Sequence, residues 1–396
     1  MNKKVSLGIT IGILCLAIAL SSVITMTIVT KEYNSILKGL PGKIERFEVI
    51  DELDKIIGNN YYGNISDENL ERAIAEGYIS KLGDNYSKYL TGDEFADYVN
   101  ETQGNMSGIG IEFTKGKKSY IEITDVYDGS PAEAAGLRTG DLIIAFDGIM
   151  INSANYSEMV AKLEGDKLTS VNLTYRSDGI DSTVNIVKGY EARSVTTGSH
   201  GTVGYLKITN FYPSTATQVD DAVKKLLTSG VSAIVIDVRK NTSTNLDVAM
   251  DVLDIFVPMN DNSVSAASVI DENGEIVLKY STSSGEVNLP MAVLVSSKTS
   301  AAAELFAINM RDFGKAEIVG NTTAGKGLKR DVFTLENGDA VLLSVGVIKP
   351  YRSDYYNVVG ITPDLESELT EKTNKIENDS QFLDAVNLIA PDSAQQ

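Results

Sequence analysis

Histidine and cysteine each occur once in the 396 residues, as His200 and Cys15. A Cys/His zinc site needs four ligands, so these two residues cannot build one. A single cysteine cannot close an internal disulfide. A Ser-His-Asp triad has only His200 to draw on, and that residue sits in Gly198-Ser199-His200-Gly201, which reads as an exposed turn before a strand. Positive charge is also scarce: 35 Lys and Arg stand against 54 Asp and Glu, a net charge of −19. Such a balance argues against nucleic acid, which needs a basic face, and against attachment to anionic lipid by charge. No metal and no cofactor is expected. The hydrophobic fraction of 43% supplies a sizeable core, and the length suits about two or three domains.

Charge is missing altogether from residues 5–30, VSLGITIGILCLAIALSSVITMTIVT. As a helix this stretch would be about 39 Å long, more than the ~30 Å hydrocarbon core of a bilayer. Lys3 and Lys4 precede it, which predicts a short cytoplasmic N-terminus and the bulk of the chain outside. A cleaved signal peptide would show an apolar region of about 7–15 residues, much shorter than this one. Cys15 follows Leu14 rather than a small residue, which speaks against lipidation there.

Residues 31–42 are a polar linker. Ile44, Phe47, Ile50, Leu53, Ile56 and Ile57 then recur at helical spacing, and a second amphipathic helix is predicted from Asp67 to Leu82, stopped by Gly83. From 104 to 190 short strands alternate with turns. Ser130-Pro131-Ala132-Glu133 has the pattern of a capped helix start, with Ser as N-cap and Glu closing a capping box. From about 203 the pattern becomes strand-helix alternation: AIVIDV (233–238) and MAVLVSS (291–297) read as central strands, with helices at 215–229, 246–256 and about 301–313. Hairpin turns fall at 271–274 and 336–339, and the chain after about 375 reads as polar tail.

Two glycine-rich segments invite chemistry. Gly320 to Gly327 (GNTTAGKG) has P-loop spacing, but Gly327 stands where a magnesium-ligating Ser or Thr is required, and extended chain follows instead of a helix. The glycines around Lys326 would let backbone close around an ammonium group, and a desolvated lysine can act as a general base. In Ser107-Gly108-Ile109-Gly110-Ile111 the backbone N–H groups can form a nest for a peptide's terminal carboxylate, with the peptide adding as a strand. The capping-box helix and the Arg138-Thr139-Gly140-Asp141 turn follow in the order a PDZ domain needs.

DNYSKYLTGDEF, SGIGIEF, GSPAEAAGLRTGDLI, VGYLKITNF, AIVIDVRKN, AAAELFAINMRDFGKAEIVGNTTAGKG and VVGITPDLE fall in one order across roughly residues 43–370. In that order the chain resembles the carboxyl-terminal processing peptidases, or tail-specific proteases. The resemblance implies a multidomain α+β and α/β protein. Together with the apolar stretch and the polar end read above, the parts would be a cytoplasmic stub and transmembrane anchor at 1–31, a helical region at 43–103, a PDZ-like domain at 104–190, a mixed α/β ClpP/crotonase-like peptidase core at 191–375 and a polar tail at 376–396. It also implies a Ser/Lys dyad, which needs no histidine. Lys326 matches the general base and Glu304 the glutamate three residues after the nucleophile, but the nucleophile position is Ala301. The orienting glutamine position is Arg330, and the oxyanion glycine pair is replaced by Ser243-Thr244. Ala301 alone would suit an inactivating substitution; three changes together point to decay. Ser300 is the alternative nucleophile, although one step along a helix start turns a side chain by about 100°.

The expected function is therefore an exported homologue with lost or strongly reduced peptidase activity that binds protein C-termini through Gly108, Ile109, Gly110 and Ile111. The alternative is an active endopeptidase working through Ser300, or through a native serine in place of Ala301. Expected partners are the C-terminal tails of exported or periplasm-side proteins, with a possible homodimer through the helical region and one membrane helix.

Overall fold

The computed structural model describes residues 26, 47–64, 66–127, 129–164, 169–258, 265–283, 287–369 and 376–391. The expected span at 5–30 lies outside them except for Met26; among the described residues no helix is long and apolar enough to cross a membrane. Contacts divide the chain into two units, 1–73 and 74–396. In the first, residues 47–60 form a helix, α1, with Phe47, Val49, Leu53 and Ile56 all more than half exposed. Helix α2, Asp67–Ser80, follows. Chain order then gives β1 Lys88–Leu90 and α3 Gly92–Thr102, whose N-cap Thr91 and Glu94 form a reciprocal capping box.

The PDZ-like part begins at β2 Asn105–Met106 and continues through β3 Ile111–Lys115, β4 Ile121–Val126, α4 Pro131–Ala134, β5 Leu142–Phe146, β6 Ile149–Met150, α5 Tyr156–Glu164, β7 Ser170–Ser177, β8 Ile180–Val187 and β9 Tyr190–Glu191. Its main sheet runs β3-β4-β5-β7-β8, while β2 pairs with β9 where the chain enters and leaves. Ile121, Ile123, Ile143, Phe146 and Leu173 fill its core. The capping box at α4 is modified: Ser130 Oγ accepts from Glu133 N, but the Glu133 carboxylate reaches past the N-cap to Gly129 N at 2.7 Å.

The remaining elements are β10 Val195–His200, β11 Val203–Ile208, α6 Thr215–Thr228, β12 Ala233–Asp237, α7 Leu246–Phe256, β13 Ala267–Ile270, β14 Ile276–Tyr280, β15 Met291–Val295, α8 Ala302–Asp312, β16 Ala316–Gly320, β17 Leu328–Thr334, β18 Ala340–Lys349, β19 Leu365–Glu366 and α9 Ser380–Ile389. The central sheet is β10-β11-β12-β15-β16-β19, parallel except at its β10–β11 edge. Strand residues alternate between its faces. Ile234, Ile236, Val293 and Val295 pack with α6, α7 and α8, whereas Ala233, Val235, Ala292 and Leu294 meet Phe382, Ala385 and Val386 of α9. A second sheet is built on the long strand β18, which pairs with β1, β13 and β17.

Two expectations are corrected. The segment 376–396, read as polar tail, carries α9, whose apolar side covers one face of the central sheet. Its Phe382, Ala385, Val386 and Ile389 follow the helical i, i+3, i+4, i+7 spacing, but polar residues flank the helix on both sides. His200 is not an exposed turn residue. It ends strand β10, half-buried and edge-on to the Phe382 ring with centroids 6.1 Å apart.

Candidate active site and peptide groove

The site lies where central strands give way to loops. β15 leads through Ser296–Ser300 to α8, and Ala301 stands at the helix start with φ 55° and ψ −111°. That conformation is rare and strained for a residue with a Cβ. It is held from several sides. Ala301 N–H donates to Glu304 Oε2 at 2.8 Å, its carbonyl accepts the Tyr356 hydroxyl at 3.2 Å, and Leu305 N–H closes the first helical turn onto the same carbonyl at 3.1 Å. Tyr356 is buried, and burial with the nearby Glu304 charge pushes its phenol well above the ordinary range, so it stays a donor.

Glu304 is the node of the site. It is fully buried and lies in the first turn of α8. Besides Ala301 N–H, its carboxylate accepts Thr323 Oγ1 at 2.5 Å, Gly325 N–H at 2.7 Å and Lys326 N–H at 2.9 Å. Backbone and hydroxyl donors thus satisfy the buried carboxylate, with no ion pair to it among the described residues. The loop it grips is buttressed by 356–361: Val358 N–H donates to Gly325 O at 2.7 Å, and Ile361 N–H to Thr323 Oγ1 at 2.8 Å. Gly325 has φ 72°, and a Cβ there would meet Gly360 N at 2.8 Å.

The expected site residues come together only in part. Lys326 is on the loop bound to Glu304, but its side chain is exposed and not enclosed by the flanking glycines. Ser300 is 1% exposed, and its Oγ has no hydrogen-bond partner among the described residues. Its N–H donates to Asn241 O at 3.1 Å. Arg330 lies on β17 and its guanidinium reaches Tyr86 O at 3.5 Å, so this position holds the DNYSKYL segment. Ser243 is buried; its N–H donates to Asn241 Oδ1 at 3.0 Å, and its carbonyl accepts Ala302 N–H at 2.9 Å. Thr244 beside it is partly exposed. The N–H groups of Ser243 and Ala302 are therefore both already bonded within the protein. No sequence signal announces the Ala302–Ser243 bond, because it is made by main-chain atoms.

A buried ion network anchors the same loop from below. The Arg239 guanidinium bonds both Asp237 and Asp379 at 2.7 Å, and Tyr205 donates to Asp237 at 2.6 Å. Burial alone would raise the Asp237 carboxyl; the hydrogen bonds and charge of Arg239 outweigh it and hold the carboxyl below its ordinary value. Asp379 also caps α9 through Phe382 N–H. Arg239 is part of the quoted AIVIDVRKN run, but its partner on α9 lies 140 residues away.

In the PDZ-like part Gly108, Ile109 and Gly110 are buried at the start of β3, with φ 73° at Gly108 and 79° at Gly110. A Cβ on Gly110 would meet Ser130 Cβ at 2.3 Å, so only glycine fits there. Carbonyls of this loop tie it down: Ile109 O accepts Ala132 N–H at 3.0 Å, Gly110 O accepts Tyr127 N–H at 3.0 Å and Gly108 O accepts Gly189 N–H at 2.8 Å. Ile111 and Phe113 of β3 and Tyr156 and Val160 of α5 are partly buried against the domain core.

Comparison with known proteins bears on both parts. The description Peptidase family S41 matches residues 202–367, and PDZ domain matches 122–177. A probable CtpA-like serine protease of Staphylococcus aureus is 30% identical over 342 residues, 84% of this chain and 67% of that protein. The chain belongs to the C-terminal processing peptidases. A probable CtpA-like serine protease of Staphylococcus saprophyticus is 29% identical over 326 residues, 82% of this chain and 66% of the relative, so the chain spans about two thirds of the length of such relatives. Among solved structures, a photosystem II D1 C-terminal processing protease superposes with TM-score 0.52 at 21% identity, over 87% of this chain and 91% of the other. A putative S41 protease from Bacteroides fragilis gives TM-score 0.55 at 17% identity, over 84% and 91%. At these identities the likeness speaks for the fold: a mixed α/β peptidase core with a PDZ domain.

Proposed function

We propose that this member of the C-terminal processing peptidases is a membrane-anchored, exported binding protein that holds the C-termini of other exported proteins in its PDZ groove and has lost most or all peptidase activity. One observation carries the loss of turnover: beside the methyl group of Ala301, the Ala302 N–H is bonded to Ser243 O at 2.9 Å. A tetrahedral oxyanion needs free donors, and removal of one donor costs about a hundred- to a thousand-fold. Lack of a nucleophile costs on the order of a million-fold. The glycine nest and the partly buried line of Ile111, Phe113, Tyr156 and Val160 support peptide binding. The uncharged 5–30 stretch supports the anchor, and the exposed apolar side chains of α1 support pairing of two copies. Treatment of the full chain with a serine-directed phosphonate, read by intact mass, tests the loss of activity. No adduct is expected; a stoichiometric adduct lost in Ser300→Ala refutes it.

The alternative, a working Ser/Lys endopeptidase, draws on one feature: Ala301 keeps a strained turn that would lift a side chain away from the helix start. A serine in that conformation would stand beside the loop that carries Lys326.

A further inference from the structure

Strand β3 is an edge: among the described residues only β4 pairs with it. A peptide whose terminal carboxylate lies at Gly108–Gly110, before the start of β3, must run antiparallel to that strand when it adds to the sheet. Every second residue of β3 faces the same side. Opposed residues share a face across antiparallel strands, and here Phe113 is opposite Ile123 and Lys115 opposite Ile121, both buried. Thr114 is opposite Glu122, and Glu112 is opposite Asp125, so these carboxylates belong to the other face. In a chain of net charge −19, the groove side of β3 thus ends in an ammonium group.

That ammonium has a defined seat. Lys115 Nζ lies 4.6 Å from the ring centroid of Tyr156, at the start of α5. A cation over an aromatic face is held weakly when exposed, at about 0.5–1 kcal/mol, and stays available to an anion. No carboxylate of the described residues pairs with it. Lys117 and Lys118, exposed in the following turn, add positive charge beyond it.

Building on the peptide-groove reading above, we propose that the groove selects C-terminal tails with an apolar last residue and an acidic side chain about four residues earlier, which pairs with Lys115. The spacing follows from the strand: the ligand's last residue lies at Ile111, and Lys115 is four residues further along an antiparallel partner. Glu or Asp there would draw the Lys115 ammonium from the Tyr156 ring and exchange a cation–π contact for an ion pair.

The test uses the full chain and fluorescent ten-residue peptides ending in Val, with Glu or Gln four positions before the end, each as free acid and as C-terminal amide. Anisotropy titration is expected to give about three- to fivefold tighter binding for the Glu free acid than for the Gln free acid, within the range of exposed ion pairs, and a smaller gap at high salt. Lys115→Met keeps the stem on Tyr156 and should erase the gap between the Glu and Gln free acids. Lys115→Glu should reverse it toward a Lys peptide. Free acids that bind better than amides, with Glu and Gln alike, overturn the acidic preference and leave the groove reading standing. Equal binding of acids and amides removes both.

Discussion

The amide N–H of Ala302 donates to the carbonyl oxygen of Ser243 at 2.9 Å, across the space between the start of α8 and the loop after β12. The bond belongs to a set. Asn241 O takes Ser300 N–H, Asn241 Oδ1 takes Ser243 N–H, and Asn241 Nδ2 donates to Ile208 O. The loop is held in a form that satisfies the N–H groups at the helix start.

Restoring the nucleophile alone should therefore fail. Ala301→Ser is expected to give at most trace cleavage of casein, with product peptides counted by mass spectrometry and folding matched by circular dichroism. Ala301→Ser with Arg330→Gln and glycines at 243 and 244 should do far better than any single change, because members of a catalytic unit are strongly non-additive. Robust activity of Ala301→Ser alone would show that the Ser243 carbonyl yields to substrate.

Glu304→Gln should destabilise the protein by about 3 kcal/mol or more in chemical denaturation. The amide group would turn two donors toward donors, and bonds to a charged acceptor are worth about 1.5–3 kcal/mol each. The loss should fall equally on peptide-bound and free protein, since Glu304 binds only its own chain.

Arg239→Met should cost about 3–5 kcal/mol by stranding the buried carboxylates of Asp237 and Asp379. Its pH dependence carries the sign. In the unchanged protein Asp237 is held below its ordinary value, so its contribution is complete above about pH 4 and is lost as pH falls through the depressed value. Without the guanidinium, burial raises the carboxyl, and the variant should lose stability as pH rises from about 4 to 7. Thermal melts at matched ionic strength show whether the two profiles slope oppositely.

Protease added outside intact cells should digest the chain after about residue 31 and leave a membrane-bound stub, as the Lys3–Lys4 charge and the apolar stretch imply. Protection of the C-terminal part would refute this topology.

Elements with strong local signals were legible before the fold was known. Helix α7 spans Leu246–Phe256 as its apolar spacing indicates, and β12, apolar up to Asp237, and the wholly apolar β15 lie inside the central sheet. The order of motifs carried the family. What the sequence did not show is long-range or made by backbone. Lys326 sits between glycines, yet those glycines serve close approach to 357–360, and the ammonium points to solvent. Helix α9 shows the helical spacing in Phe382, Ala385, Val386 and Ile389, but this short signal stands between the largely polar runs 371–379 and 391–396, which gave the segment the look of a tail.

Helix α9 also sets an order on folding. Among the described residues, Val203, Ala233, Val235, Ala292 and Leu294 are covered by Phe382, Ala385 and Val386 of α9 and the side chains packed beside them. While the chain emerges from N- to C-terminus, the peptidase core must wait with one sheet face bare until those residues arrive, and Arg239 waits with it for Asp379. A nascent chain stalled before residue 380 would keep that face bare and aggregate through it.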